Sequence, residues 1–304
     1  MSSANASGDL SSEMKVDAFR CLFPLRFHER HLLQSTHPDA RKLRKARDTT
    51  LALGVVAFAD GSALAKIGCT TMLAAIKMEV MTPTTESPDE GCIAIDFDMH
   101  PICSPLVRPG KPANTSPVIS KQLSDTILSS GMIYFKELSL VSGKSAWMAY
   151  LDVYCLDVDG ALFDTALLAP VAAFSHLQIL VVSLNDDGRV IVVSEEDGGK
   201  LKCEPVNKGK RKLKLSSVPF SLTCILHKNY MLADLTAEEE SIMETLVTVV
   251  LDSSFQLVSL YKPGGLVLAY TSAILLQDCI ALTQQSVKEL QKVLNEAISE
   301  MEGD

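Results

Sequence analysis

Two short stretches hold the residues with which this chain could do chemistry. In Asp234-Leu235-Thr236-Ala237-Glu238-Glu239-Glu240, the carboxylates of Asp234 and Glu240 could share a metal ion. A metal among acidic groups is a standard device for in-line attack on phosphorus. Such a reaction also needs a phosphate cradle, made of backbone N–H donors and preferably a planar guanidinium that bonds two oxygens at once. A tight Asp159-Gly160 turn lies between a long strand and an apolar helix opened by Asp164 or Thr165. Ala161, Leu162 and Phe163 follow that turn. Leucine and phenylalanine offer no such group, and Asp164 repels an anion. No catalytic residue, no metal and no cofactor is therefore expected. The plain account of Asp234 to Glu240 is an exposed acidic turn.

Other groupings invite chemistry less strongly. Asp96, Asp98 and His100 alternate, so on a strand they share one face and could bind a metal; a solvated edge strand explains them as well. His28 and His31 lie three apart on a helix rich in charge, with His37 beyond it. Arg108 and Lys111 stand in a Pro/Gly loop. Lys208, Lys210, Arg211, Lys212 and Lys214 form the densest basic run. Basic runs of this kind either contact RNA or a partner, or are solvated. No G-x-G-x-x-G, P-loop or G-x-S-x-G pattern occurs, and aromatic residues do not interleave with the basic clusters as a single-strand platform requires.

These residues must be positioned by a chain of 304 residues that is 47% hydrophobic and 21% charged, the composition of a globular protein with ample core. Net charge is −9, so no global basic field draws it onto nucleic acid, and any RNA contact must be local or come from partners. Eight scattered cysteines without a C-x-x-C pair fit reduced thiols in cytosol or nucleus. Residues 1–15 are polar and read as a disordered tail, without the apolar core of a signal peptide. The stretch from Ala166 to Leu184 is better explained by a buried helix running into a strand than by a membrane span.

A helix is expected after Pro24 and another over residues 118–130, with strands over 49–59, 62–69, 70–80 and 92–97. Asp60-Gly61 is a short hairpin signal between the first two strands. Further strands are expected over 189–193, 221–226, 230–234, 243–251 and 255–261. Leu276, Ile280, Val287, Leu290, Leu294, Ile298 and Met301 then mark a long amphipathic helix. The fold class is α+β, with duplicated β-rich units and covering helices.

Five stretches, spread over about residues 20 to 300, together resemble RNase PH-like proteins. His37-Pro38-Asp39-Ala40-Arg41 with Arg47 is similar to the family's R-P-D-G-R…R entry, departing at His37 and Ala40. Ala59-Asp60-Gly61-Ser62 to Gly68-Cys69-Thr70 is similar to its A-D/E-G-S…G-N-T hairpin, with Cys69 for Asn. The central strand, turn and helix follow, where active members carry D-G-G-T-R-T and hold phosphate with its Thr and Arg, so the resemblance implies a degenerate phosphate site at Ala161, Leu162 and Phe163. Asp234 to Glu240 stands at the family's acidic signature, with Glu240 in place of its second Asp, and Lys262-Pro263-Gly264-Gly265 precedes the last helix. Within the family these details resemble the non-catalytic ring subunits of the RNA exosome, archaeal and eukaryotic.

The resemblance implies an RNase PH-like fold of the ribosomal protein S5 domain 2-like kind. It implies a lobe at about residues 40–183, a basic insertion at about 186–214 and a second lobe at about 215–304, within a domain spanning 16–304. It also implies a heterohexameric ring of RNase PH-like subunits, S1/KH cap subunits and RNA threaded through the ring during 3′→5′ processing and decay. Arg108, Lys111, Lys208, Lys210, Arg211 and Lys212 are the RNA-contact candidates, and the expected compartments are nucleus, nucleolus and cytoplasm. The rival reading is a phosphate-dependent 3′→5′ exoribonuclease built on Asp234 and Glu240. A further rival is a stand-alone scaffold acting through the basic loop.

Overall fold

A computed structural model of the chain describes residues 14–104, 107–108, 113–180, 182–184, 190–192, 204–205, 211–227, 230–242, 245–264 and 272–303. Its organising element is β6 (Ser145–Asp157), a 13-residue strand whose side chains alternate between buried and exposed over most of its length. On one side it pairs antiparallel with β3 (Thr70–Met81), and on the other it runs parallel to β4 (Cys92–Met99). The sheet continues from β3 through β2 (Gly61–Ile67) to β1 (Thr49–Leu53), and β5 (Ser139–Val141) adds a short antiparallel piece to β6.

The short strands β7 (Gln178–Ile179), β8 (Val182–Leu184), β9 (Val190–Val192), β10 (Glu204–Pro205) and β11 (Arg211–Lys212) form two small sheets. A four-stranded antiparallel sheet then follows in the order β13-β12-β14-β15. It consists of β12 (Phe220–His227), β13 (Tyr230–Ala233), β14 (Leu246–Leu251) and β15 (Leu257–Tyr261).

Ahead of the first sheet, residues 14–22 are helical and α1 (Pro24–Leu33) follows with proline in its first turn, where the missing N–H is harmless. Three helices lie between the two large sheets, because each packs against strands of both. They are α2 (Ser116–Ser130) on β4 and β15, α3 (Leu162–His176) on β2, β3 and β12, and the 32-residue α5 (Ser272–Gly303) on β1, β12 and β14. The remaining helix, α4 (Ala237–Ile242), is short. Helix α3 is buried from Phe163 to Phe174 without a polar stripe, as a helix covered on all sides must be. The α+β class and the main strand order therefore follow the sequence pattern.

Two expectations change. The first hairpin is not a two-residue Asp60-Gly61 turn: β1 stops at Leu53, which registers with Ala63, and residues 54–60 make the connection. The cause is Asp60, whose N–H bonds Ile76 O at 2.9 Å and whose Oδ2 accepts the Met78 N–H at 2.8 Å, drawing the chain onto β3. The strand expected from 243 begins at Leu246, and residues 243–244 lie outside the described residues. The apolar side of α5 faces the interior. Cys279, Val287, Leu290 and Leu294 join the core cluster of the chain itself.

The middle layer sets the stability. Leu167→Ala, at a fully buried α3 position, is expected to cost about 2–5 kcal/mol. Leu33→Ala, at a side chain 78% exposed on α1, is expected to stay within about 0.5 kcal/mol of wild type. Urea unfolding of both variants measures the contrast.

Candidate functional site

Asp159, Gly160, Asp234 and Glu240 come together in space, and the residue that joins them is Arg47. Its guanidinium grips Asp234 through Nε–H to Oδ2 at 3.0 Å and Nη2–H to Oδ1 at 2.8 Å, while its backbone N–H bonds Oδ2 at 2.6 Å. Nη1–H also donates to the Asp159 carbonyl at 2.6 Å and Nη2–H to the Leu235 carbonyl at 3.0 Å. Both side chains of the ion pair are almost fully buried. Burial pushes the guanidinium pKa down, but the bonds and charge of Asp234 outweigh it and hold the value above the ordinary one. Arg41 supports the same residue from outside, donating Nη2–H to the Asp234 carbonyl at 3.0 Å and Nε–H to Asp39 at 2.7 Å.

The Asp-Gly turn is clamped from its other side by Thr70. Its hydroxyl donates to Gly160 O at 2.6 Å and accepts the Asp159 N–H at 2.9 Å. Asp159 Oδ1 accepts the Ala237 N–H at 3.0 Å, closing the turn onto α4. Gly160 is required here: φ is +71°, and a Cβ would lie 2.0 Å from the Leu235 carbonyl oxygen. Ala40 and Ala161 also take left-handed φ, +66° and +49°, at positions where the resembling family carries glycine.

The acidic segment is not an exposed turn. Asp234 and Glu239 are each 1% exposed. Thr236 and Glu239 form a capping box at the start of α4, with Glu239 Oε2 accepting the Thr236 N–H at 3.0 Å. The other oxygen of Glu239 faces His37 Nδ1 at 2.7 Å. Burial pushes the Glu239 carboxyl upward, but the His37 bond overcomes it and leaves the pKa below the ordinary range. His28 is buried too, with Nε2 3.8 Å from Glu238. His37 therefore serves a carboxylate contact inside the fold, and His28 lies buried rather than on a charged helix surface. The exposure expected from charge alone was wrong because four segments converge here to supply donors.

Glu240 decides what the turn can do. Its Oε1 accepts the Ala161 N–H at 2.9 Å, the donor that opens α3. An anion arriving at this turn meets a carboxyl already seated on that N–H, with Asp164 behind it. Asp164 is buried and its Oδ2 accepts the Thr223 N–H at 2.7 Å, joining α3 to β12. Burial raises the Asp164 carboxyl to about 6 and the Glu240 carboxyl to about 7. Leu162 packs against the core and Phe163 is buried, its ring 5.7 Å from Tyr261.

Of the basic candidates, Arg108 is exposed. Arg211 on β11 is exposed with Nη2–H donated to Glu137 O at 2.6 Å, and Lys212 beside it is exposed. Lys111, Lys208 and Lys210 lie outside the described residues. Asp96 and Asp98 do stand on the edge strand β4, with Asp98 3.6 Å from His100. Among the described residues no group of three His, Cys, Asp or Glu side chains has metal-holding geometry. Sequence reasoning missed that basic and aromatic residues interleave at the N-terminal helices, where the Arg30 guanidinium lies 4.4 Å from the centre of the Phe19 ring. The signal was the F-R pattern from Phe19 to Arg30, read only as helix.

Residues 45–180 match the model of the 3′ exoribonuclease family, domain 1 (RNase PH), and residues 217–286 match its domain 2. The Exosome complex component Rrp42 of Methanopyrus kandleri is 30% identical over 256 residues, covering 84% of this chain and 90% of the relative. The chain belongs to the RNase PH family. The Exosome complex component rrp43 of Schizosaccharomyces pombe is 29% identical over 267 residues, covering 88% of this chain and 93% of the relative. A chain of the Archaeoglobus fulgidus exosome solved with RNA bound to the active site superposes with a TM-score of 0.74 at 24% identity. It covers 92% of this chain and 98% of that one, and establishes the RNase PH fold.

Within this family fold the Arg47–Asp234 pair is a structural lock. Arg47→Met leaves Asp234 buried without its partner and is expected to cost about 3–5 kcal/mol, whereas the exposed Arg44→Met should change little; thermal and urea unfolding read both. The two raised carboxyls fix a pH dependence. The folded chain binds more protons than the unfolded one between the ordinary values, 4.5 for Glu240 and 3.8 for Asp164, and the raised ones of about 7 and about 6. Their contribution is full below the ordinary values and is lost as pH rises through the raised ones. The share of the unfolding free energy carried by these two carboxyls is expected to fall from about pH 4 to about pH 7, and Glu240→Gln to remove the upper part of that fall relative to wild type.

Proposed function

We propose that this chain is a catalytically inactive structural subunit of an exosome-type ring, one that supports 3′→5′ RNA processing and degradation without cutting RNA itself. The observation that carries the reading is the Glu240 carboxyl on the Ala161 N–H, 2.9 Å away, at the turn where active members of the family seat phosphate. An attacking phosphate would have to displace a carboxyl tethered within the same chain, and the side chains of Leu162 and Phe163 give it nothing in return. Asp234, the other carboxylate of the rival exoribonuclease reading, is held in a bidentate grip by Arg47, so its oxygens are engaged in the fold.

Relatives named as exosome complex components, matched over most of both chains, support a place in a ring of RNase PH-like subunits. Cap subunits of the S1/KH type complete the reading. In this role the chain supplies wall and contacts. Arg108, Arg211 and Lys212 are proposed to meet RNA, together with Lys111, Lys208 and Lys210. The net charge of −9 requires such contacts to be local. The proposed compartments are nucleus, nucleolus and cytoplasm. Among the described residues no helix is long and apolar enough to cross a membrane.

Co-expression with RNase PH-like partners, followed by mass measurement of the purified assembly, tests the ring. A hetero-oligomer of ring size is expected, and a well-behaved monomer or homo-hexamer would sink the reading. Incubating the isolated chain with RNA and inorganic phosphate tests inactivity. No shortening is expected; phosphate-dependent shortening abolished by Asp234→Ala would establish the exoribonuclease instead.

A further inference from the structure

The outer face of the large sheet is left bare by the described elements. Helices α2, α3 and α5 lie on its inner side, where Ala63, Ala65, Met72, Ala74, Ile76, Leu151 and Val153 are buried. The alternate residues point outward, and register places them in rows. Leu64, Leu73, Tyr154 and Asp98 form one row across β2, β3, β6 and β4. Ala75, Asp152 and Asp96 form the next, and Lys77, Tyr150 and Ala94 the one after. Tyr150 and Tyr154 are 37% and 38% exposed, and Leu156 beyond them is 45% exposed.

Four strands about 4.8 Å apart and about nine residues long at about 3.3 Å per residue present on the order of 500 Å² in projection. That is the larger part of the roughly 800 Å² that one side of a stable protein interface buries.

The chemistry of the face narrows its occupant. Asp96 stands directly opposite Asp152 in the parallel register, and Asp98 opposite Tyr154. Asp98 has His100 at 3.6 Å, and the nearby Lys77 is drawn to Asp60 at 3.4 Å. Among the described residues no lysine or arginine pairs with any of these three aspartates. The surface is thus apolar and aromatic at its centre and negative along the β4 side. RNA is disfavoured there, because each phosphate approaching would meet unneutralised carboxylates. A polypeptide bearing arginine or lysine around an apolar patch gains on both counts, since Tyr rings and carboxylates both attract a guanidinium.

We propose that this outer face, centred on Tyr154 and Asp152, is the docking surface for one neighbouring protein subunit whose own face is apolar with a basic rim. The proposal rests on the ring reading and names one of its contacts.

The test is assembly with co-expressed RNase PH-like partners, comparing wild type, Asp96→Lys/Asp152→Lys, Tyr154→Ala and a control, Lys121→Glu, on the exposed side of α2. The double variant is expected to lose one neighbour, lowering the mass of the assembly, and Tyr154→Ala to weaken that contact at least tenfold. Lys121→Glu should assemble as wild type, and all isolated variants should unfold at the wild-type midpoint. Hydroxyl-radical footprinting should find Tyr150 and Tyr154 protected in the assembly. Wild-type mass and salt tolerance in the double variant, or RNA crosslinked to Tyr150 or Tyr154, would overturn the proposal while leaving the ring reading standing. Failure of the wild type itself to assemble would instead remove the ring reading, and the docking surface with it.

Discussion

The ion pair between Arg47 and Asp234 is the constraint on which the centre of this molecule depends. It joins residues 187 positions apart, and the same guanidinium holds the carbonyls of Asp159 and Leu235. A buried charge pair is tolerable only when the remaining donors and acceptors are also satisfied. Here they are, by backbone groups of the Asp-Gly turn and of the segment entering α4. Gly160, which has no Cβ to clash with Leu235, lets the two segments approach closely enough for this to happen. Neighbouring elements inherit their positions from the lock. Helix α3 starts from the turn, α4 starts from the acidic segment, and Asp164 pins α3 to β12.

The carboxyls of this centre point at groups of the chain itself. A site for phosphate chemistry needs donors left open to a ligand and carboxylates left open to a metal or a proton. In this chain Glu240 takes the open donor, Glu239 is engaged by His37, and Asp234 is enclosed by Arg47. Groups of the kind that could carry a reaction are instead joined to one another and hold the two sheets against the central helices. The raised values of Asp164 and Glu240 follow from that enclosure, since burial and mutual repulsion both disfavour their ionised forms.

Much of the fold was legible in the sequence because its signals were local. Alternation marked β6, uninterrupted apolarity marked α3, and steps of three and four marked α5. The misreadings came from residues whose behaviour is set by distant partners. Asp60 looked like part of a tight turn until its bonds to β3 drew the chain away. Asp234 and Glu239 looked exposed because charge usually is, and nothing local shows that Arg47 and His37 come to meet them. The apolar residues that follow the Asp-Gly turn were legible in residue type, whereas the Glu240 contact across 79 positions was not. The open face of the large sheet was similarly hidden. Outward alternation along one strand is visible, but the row that places Asp96 beside Asp152 exists only once β4 and β6 are paired.

Helix α5 packs on β1 of the first sheet and on β12 and β14 of the second, although it lies after all of them in the chain. A ribosome therefore releases both sheets before the element that bridges them. During synthesis the apolar surfaces awaiting Val287, Leu290 and Leu294 stand open to water, and to other nascent chains. Docking of α5 is what ends that exposure, and a delay in it would favour aggregation over assembly.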